Sequence, residues 1–95
     1  MKFAAIIEYT PDRDKTEAIR PEHRKYLTSL LQKGQLVISG PLTDTPGAII
    51  VYEADSVEAA EALLKADPFH QNGVFVRWVI RPWNVVFANK ELMPG

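Results

Sequence analysis

Between Phe3 and Tyr9 the side chains alternate with the period of a strand. Phe3, Ala5, Ile7 and Tyr9 share one face; Ala4, Ile6 and Glu8 share the other. Both faces are largely apolar, which calls for a helix layer on one side and a second sheet or subunit on the other. Thr10-Pro11-Asp12-Arg13-Asp14 breaks the alternation as a loop. The segment up to Ile19 is open, with a short helical turn as one reading. From Pro21 the period changes: Leu27, Leu30 and Leu31 recur at helical spacing, which predicts a helix over 21–33. Pro21 suits a first helical position, where its missing N–H costs nothing. Glu22 falls in the first turn and Lys33 in the last, each with the sign the helix dipole favours. Gly34 follows as a left-handed cap.

Strand-like patterning returns at Leu36-Val37-Ile38-Ser39. A turn-rich connection, Gly40 to Gly47, leads to a third strand, Ala48 to Glu53, apolar enough to be covered on both faces. The two form a hairpin. Asp55 and Ser56 open a second helix, Ser56 as its N-cap, with Ala59, Ala60, Leu63 and Leu64 as the buried stripe and an end near Ala66. Asp67-Pro68 stops it, because a residue before proline is pushed out of helical geometry. Phe69 to Gly73 reads as a loop and Val74 to Ile80 as a fourth strand, interrupted by Pro82. Trp83 to Phe87 reads as a short fifth edge strand. The tail, Ala88 to Gly95, is loosely held or packs on a partner chain. The order is β-α-β-β-α-β with a C-terminal β extension: an α+β, ferredoxin-like arrangement in a single domain over 1–95. The apolar content of the sheet's second face predicts that it meets the same face of a second subunit, as in a dimeric α/β barrel.

Composition narrows the function. The 95 residues carry a formal charge of -1, so no basic field attracts a nucleic-acid backbone. There is no cysteine, which removes disulfides, thiolate nucleophiles and thiolate metal sites. Two histidines, His23 and His70, make a metal centre unexpected. No run of 18 apolar residues and no signal-peptide pattern occurs, so a cytoplasmic homodimer or higher homo-oligomer is expected, away from membrane and nucleic acid. Glycine-rich phosphate loops, serine nucleophile elbows and HExxH are all missing from the sequence.

What chemistry remains centres on His23, which shares the inward helix face with Leu27. Such a ring is either a half-buried structural histidine or a catalytic group presented near a helix start. Asp67 likewise either organises its turn or serves a site. Spacing alone does not bring the two together. His70 reads as solvent-facing, Trp78 and Trp83 as core or interface anchors, and Asp44 as a turn former. Glu8 is either exposed at an edge or lines a pocket, and the hydroxyl of Tyr9 is open to either role.

Arg20-Pro21-x-His23, Gly34-Gln35-Leu36, Ser39-Gly40-Pro41, Gly47, Asp67-Pro68-Phe69, Gly73-Val74 and Ile80-Arg81-Pro82-Trp83 together resemble the YCII-related (YciI-like) family over nearly the whole chain. The connection Leu42 to Pro46 is shorter than in many members, a departure that bears on the reach of the pocket. The resemblance implies a dimeric ferredoxin-like fold with a histidine–aspartate pair in a cleft, carried here by His23 and Asp67. Arg20, Ser39 and Gly40 match positions near that cleft. Tyr9 and Phe69, with Ile6, are expected to line an apolar pocket for a flat ring. One branch of the family removes chloride from a chlorinated hydroxyhydroquinone without a cofactor, and a lyase of this kind is the leading expectation. An isomerase or tautomerase of a small cyclic metabolite, a non-catalytic small-ligand-binding dimer and a structural dimerisation domain are the alternatives.

Overall fold

The computed structural model describes residues 1–94. In chain order the elements are β1 (Lys2–Tyr9), α1 (Arg13–Gln32), β2 (Leu36–Pro41), β3 (Gly47–Glu53), α2 (Val57–Lys65), α3 (Pro68–Gln71) and β4 (Phe75–Trp83), with a 3₁₀ turn at Lys90–Leu92. The strands form one sheet in the order β2-β3-β1-β4, every neighbouring pair antiparallel. This is the expected α+β, ferredoxin-like arrangement. Phe3, Ala5, Ile7 and Tyr9 of β1 are buried under the helices with Ala48, Ile50 and Tyr52 of β3 and Phe75 of β4. Ala60 and Leu64 of α2 and Leu30 of α1 close the core from the other side.

The first helix begins at Arg13, not Pro21. Asp12 is its N-cap, accepting from the amide of Lys15 at 3.2 Å, and Pro21 lies inside the helix. A proline there leaves the carbonyl of Glu17 without its usual donor. Glu17 is exposed, so water can serve it. The buried positions Thr16, His23 and Leu30 lie two turns apart and define the inward stripe. His23 is therefore near the middle of α1, over the sheet, and not in its first turn. Gly34 has φ +73°, the left-handed geometry expected of the cap.

Two other boundaries differ. The predicted loop over 69–73 contains the one-turn helix α3, with Asp67 as N-cap and Pro68 at its first position. The fourth strand runs through Pro82 to Trp83. It is an edge strand, where a proline with its missing N–H turned outward breaks no ladder bond. No fifth strand forms among the described residues. A strand needs backbone partners, and 84–87 finds none in its own chain. Of the tail, Gly95 lies outside the described residues. Trp78 packs against the core, whereas Trp83 is half exposed.

The second face of the sheet is open. Ile6 of β1 sits between Ile49 of β3 and Val79 of β4, and the three are 46%, 43% and 54% exposed. Glu8 lies on this face too, 3.6 Å from Arg77 Nε, so it is exposed and lines no pocket on the helix side.

Candidate active site

Two elements distant in sequence build the site. α1 carries His23 inward over β3, and the turn between α2 and α3 carries Asp67 beneath it. Asp67 is placed by its own chain chemistry: Oδ1 accepts from the Phe69 amide at 2.9 Å, the cap that starts α3. The same carboxylate receives His23 Nδ1 at 2.8 Å on Oδ1 and 2.9 Å on Oδ2. Asp67 is fully buried and His23 nearly so. An ionised carboxylate only accepts, so the proton sits on Nδ1 and Nε2 is left as the basic nitrogen. Among the described residues no hydrogen bond engages Nε2.

Aromatic packing fixes the ring plane. His23 stacks on Phe69 with centroids 3.9 Å apart and planes 7° apart, and it meets Phe75 edge-on at 6.3 Å. Tyr9 meets Phe69 edge-on at 5.3 Å. Phe69 is therefore fully buried behind the histidine and supports it; it does not line the cleft as expected for a substrate contact. Ile6 is on the opposite face of the sheet and has no part in the pocket.

The cleft lies between α1 and the β2–β3 edge, with a volume of about 190 Å³. That is below the range for drug-sized ligands and suits a single substituted ring. Arg20, His23 and Arg24 form one wall, Ser39 and Gly40 of β2 the other, and Tyr9 and Ile50 the floor. Arg20, Ser39, Gly40 and Tyr9 thus line the same cleft as His23. A neighbouring hollow, reached past Tyr9 and Arg20, is bounded by Arg13, Glu17 and the 41–47 connection, Asp44 included.

The cleft is cationic. Arg20 is tethered to Glu17 at 3.0 Å, whereas Arg24 makes no ion pair among the described residues. Burial and the Asp67 charge push the Tyr9 phenol up to about 12, partly offset by Arg20, so Tyr9 is a proton-bearing donor at neutral pH. Arg24 is the charged lining residue that the sequence reading missed, although it lies four residues after Arg20 and so on the same helix face; the apolar lining by Leu27, Pro41, Ala48 and Ile50 was not singled out either. His70 sits outside the cleft and meets Trp78 edge-on at 5.2 Å, a half-buried packing position and not a solvent-facing one.

Residues 1–84 match the YCII-related domain. The chain belongs to the YCII-related family. Curated relatives include Protein YciI of Escherichia coli and Protein YciI of Shigella flexneri, each 32% identical over 84 residues, covering 78% of this chain and 86% of the relative. Among solved structures, 5-chloro-2-hydroxyhydroquinone dehydrochlorinase (TftG) from Burkholderia phenoliruptrix AC1100, in complex with 2,5-dihydroxybenzoquinone, superimposes with a TM-score of 0.77. It is 22% identical and covers 88% of this chain and 94% of that one, a likeness of fold. Among the described residues of this YCII-related chain, no helix is long and apolar enough to cross a membrane. No group of three or more metal-ligating side chains comes together among them either.

Proposed function

We propose that this YCII-related protein is a cofactor-free lyase that eliminates HCl from a chlorinated hydroxyhydroquinone. The observation that carries the reading is the buried His23–Asp67 pair, with the free Nε2 beside a ring-sized cationic cleft. The dehydrochlorinase with the same fold lends it support.

In this mechanism His23 Nε2 takes a phenolic proton, and the imidazolium that forms is stabilised by the Asp67 carboxylate. The ring tautomerises as the same proton returns to the chlorine-bearing carbon. Loss of a second hydroxyl proton and of chloride from that ring then gives the hydroxybenzoquinone. The net change is HCl lost, with no electron donor or acceptor required. Arg20 and Arg24 hold the phenolate oxygen. Tyr9 and Ser39 donate to a second ring oxygen, which sets the ring's orientation. An isomerase would use the same proton transfers without a leaving group.

The exposed apolar row Ile6, Ile49 and Val79 supports a homodimer joined through the open faces of the two sheets. The decisive experiment for turnover is anaerobic incubation with chlorinated and chlorine-free hydroxyhydroquinones, followed by chloride release. Chloride released by the parent and lost in His23→Ala is the expected result. A folded parent that releases none would reject the lyase.

A further inference from the structure

The cleft does not end at the ring-sized space beside His23. Past Tyr9 and Arg20, which border both spaces together with Pro41, it opens into a second hollow of about 290 Å³, larger than the cleft itself. The proposed chemistry uses none of that volume. One wall is the first two turns of α1, with Arg13, Thr16 and Glu17, and the other is the 41–47 connection. Hydrogen bonds hold both walls in place. The Leu42 amide donates to the Gly47 carbonyl at 2.8 Å and the Tyr9 amide to the Pro46 carbonyl at 3.1 Å. The buried Thr16 hydroxyl donates to the Asp12 carbonyl at 3.2 Å. The hollow is therefore preformed, and a ring bound beside His23 has room to send a substituent into it.

The charges on the walls decide which substituent. Arg13, Glu17, Arg20 and Asp44 all line the hollow. Arg20 and Glu17 are paired at 3.0 Å, but the Arg20 side chain is 28% exposed and that of Glu17 70%. The pair thus turns its anionic member to water and keeps its cationic member in the wall. Glu17 engages only Nη2 of Arg20, so the other guanidinium nitrogens are free to donate. Arg13 makes no ion pair among the described residues, with Asp44 or with any other carboxylate. Two helical turns, about 10 Å of axis, separate Arg13 from Arg20 on one face of α1. Tyr9, which keeps its proton at neutral pH, adds a donor where the hollow meets the cleft. An ammonium group entering here would meet two guanidinium groups. A carboxylate would meet the planar forks of N–H donors that match it.

We propose that the hollow is a subsite for an anionic substituent: the ring taken by the His23 cleft carries a short carboxylate arm, and Arg13 selects it. This deepens the reading of the cleft as the seat of a hydroxylated ring and rests on it. Asp44, across the hollow on the 41–47 connection, opposes the anion and tempers its affinity.

The test is anaerobic calorimetric titration of the parent, Arg13→Gln and Asp44→Asn with two probes of matched shape, 2,5-dihydroxyphenylacetate and its neutral amide. 2,5-Dihydroxybenzoquinone, which has no arm, is the reference for the ring. The parent is expected to bind the acid about tenfold or more tighter than the amide, the worth of one hydrogen bond to a charged group. That preference should fall toward one in Arg13→Gln and rise in Asp44→Asn, while the quinone binds all three proteins alike. The rise in Asp44→Asn is a gain that a damaged fold does not produce. A parent that binds both probes equally overturns the proposal. So does a preference that survives Arg13→Gln, which would put the carboxylate on Arg20 or Arg24 inside the cleft. A parent that binds the quinone and neither probe also overturns it, by denying the arm its room. If the quinone itself does not bind, the ring-binding reading is rejected and the subsite with it. Chloride release plays no part in the titration, so a lack of turnover rejects the lyase alone.

Discussion

Asp67 does two jobs with one carboxylate, and two substitutions separate them. Asp67→Ala removes the acceptor for the buried Phe69 amide and the partner of His23 together. Losing one side of a buried pair costs about 3–5 kcal/mol, and losing a cap costs about 1 kcal/mol. The two overlap, since the same buried atoms are left unpaired, so the expected total is about 3–5 kcal/mol. Asp67→Asn keeps a good N-cap oxygen and loses the charge, at a cost of about 1.5–3 kcal/mol. A chain of this length has about 5–15 kcal/mol in all, so the alanine variant loses much of its stability. The assay is urea unfolding followed by tryptophan fluorescence and far-UV circular dichroism, at fixed protein concentration so that the proposed self-association does not enter the comparison. The expected order is parent, then asparagine, then alanine. An alanine variant within about 0.5 kcal/mol of the parent, the range of ordinary surface substitutions, would refute a pair that matters to the fold. Equal losses for alanine and asparagine would refute the separation of cap from charge.

Other consequences are open to direct measurement. Hydrogen bonds from the amino terminus and from Lys2 hold the Glu53 carboxyl below the ordinary carboxylate range. A lowered folded value means that the stabilisation is present above that range and lost as the pH falls through it. Thermal melts across the acid range should therefore show the parent above Glu53→Gln at neutral pH and level with it in acid. A Cβ on Gly47 would lie 2.5 Å from the Ile7 carbonyl oxygen, so Gly47→Ala should cost about 1–3 kcal/mol in a urea melt. A Cβ on Gly40 meets nothing within 4 Å, so Gly40→Ala should leave stability unchanged in the same melt. Val79→Glu, placed on the open sheet face, should shift sedimentation toward the monomer while the far-UV spectrum is preserved.

The alternation of Phe3 to Tyr9 and the caps at Ser56 and Gly34 were legible because each depends on neighbours in the chain. Pro21 misled for the same reason. The logic of proline at a first helical position is sound, and it operates at Pro68 behind Asp67. At Pro21 it lost to the stronger cap at Asp12 and to the burial of Thr16, His23 and Leu30 along one stripe. Pro82 reads as a break unless the strand is known to be an edge, and strand order is not written locally. The contact of His23 with Asp67 spans 44 positions. Helical and strand periods place each residue on a face, but only the closed fold puts one face over the other. Phe69 shows the limit: an aromatic next to a candidate site reads as a substrate contact, whereas packing turns it under the histidine.

The central claim is that His23 moves the proton in turnover and is not merely held by Asp67. Its most direct test compares the parent with His23→Gln in two measurements on the same preparation: chloride release from a chlorinated hydroxyhydroquinone, and calorimetric binding of 2,5-dihydroxybenzoquinone, the ligand of the structurally similar dehydrochlorinase. The account predicts that kcat falls by at least about 100-fold while the quinone still binds. Full turnover in His23→Gln would contradict it.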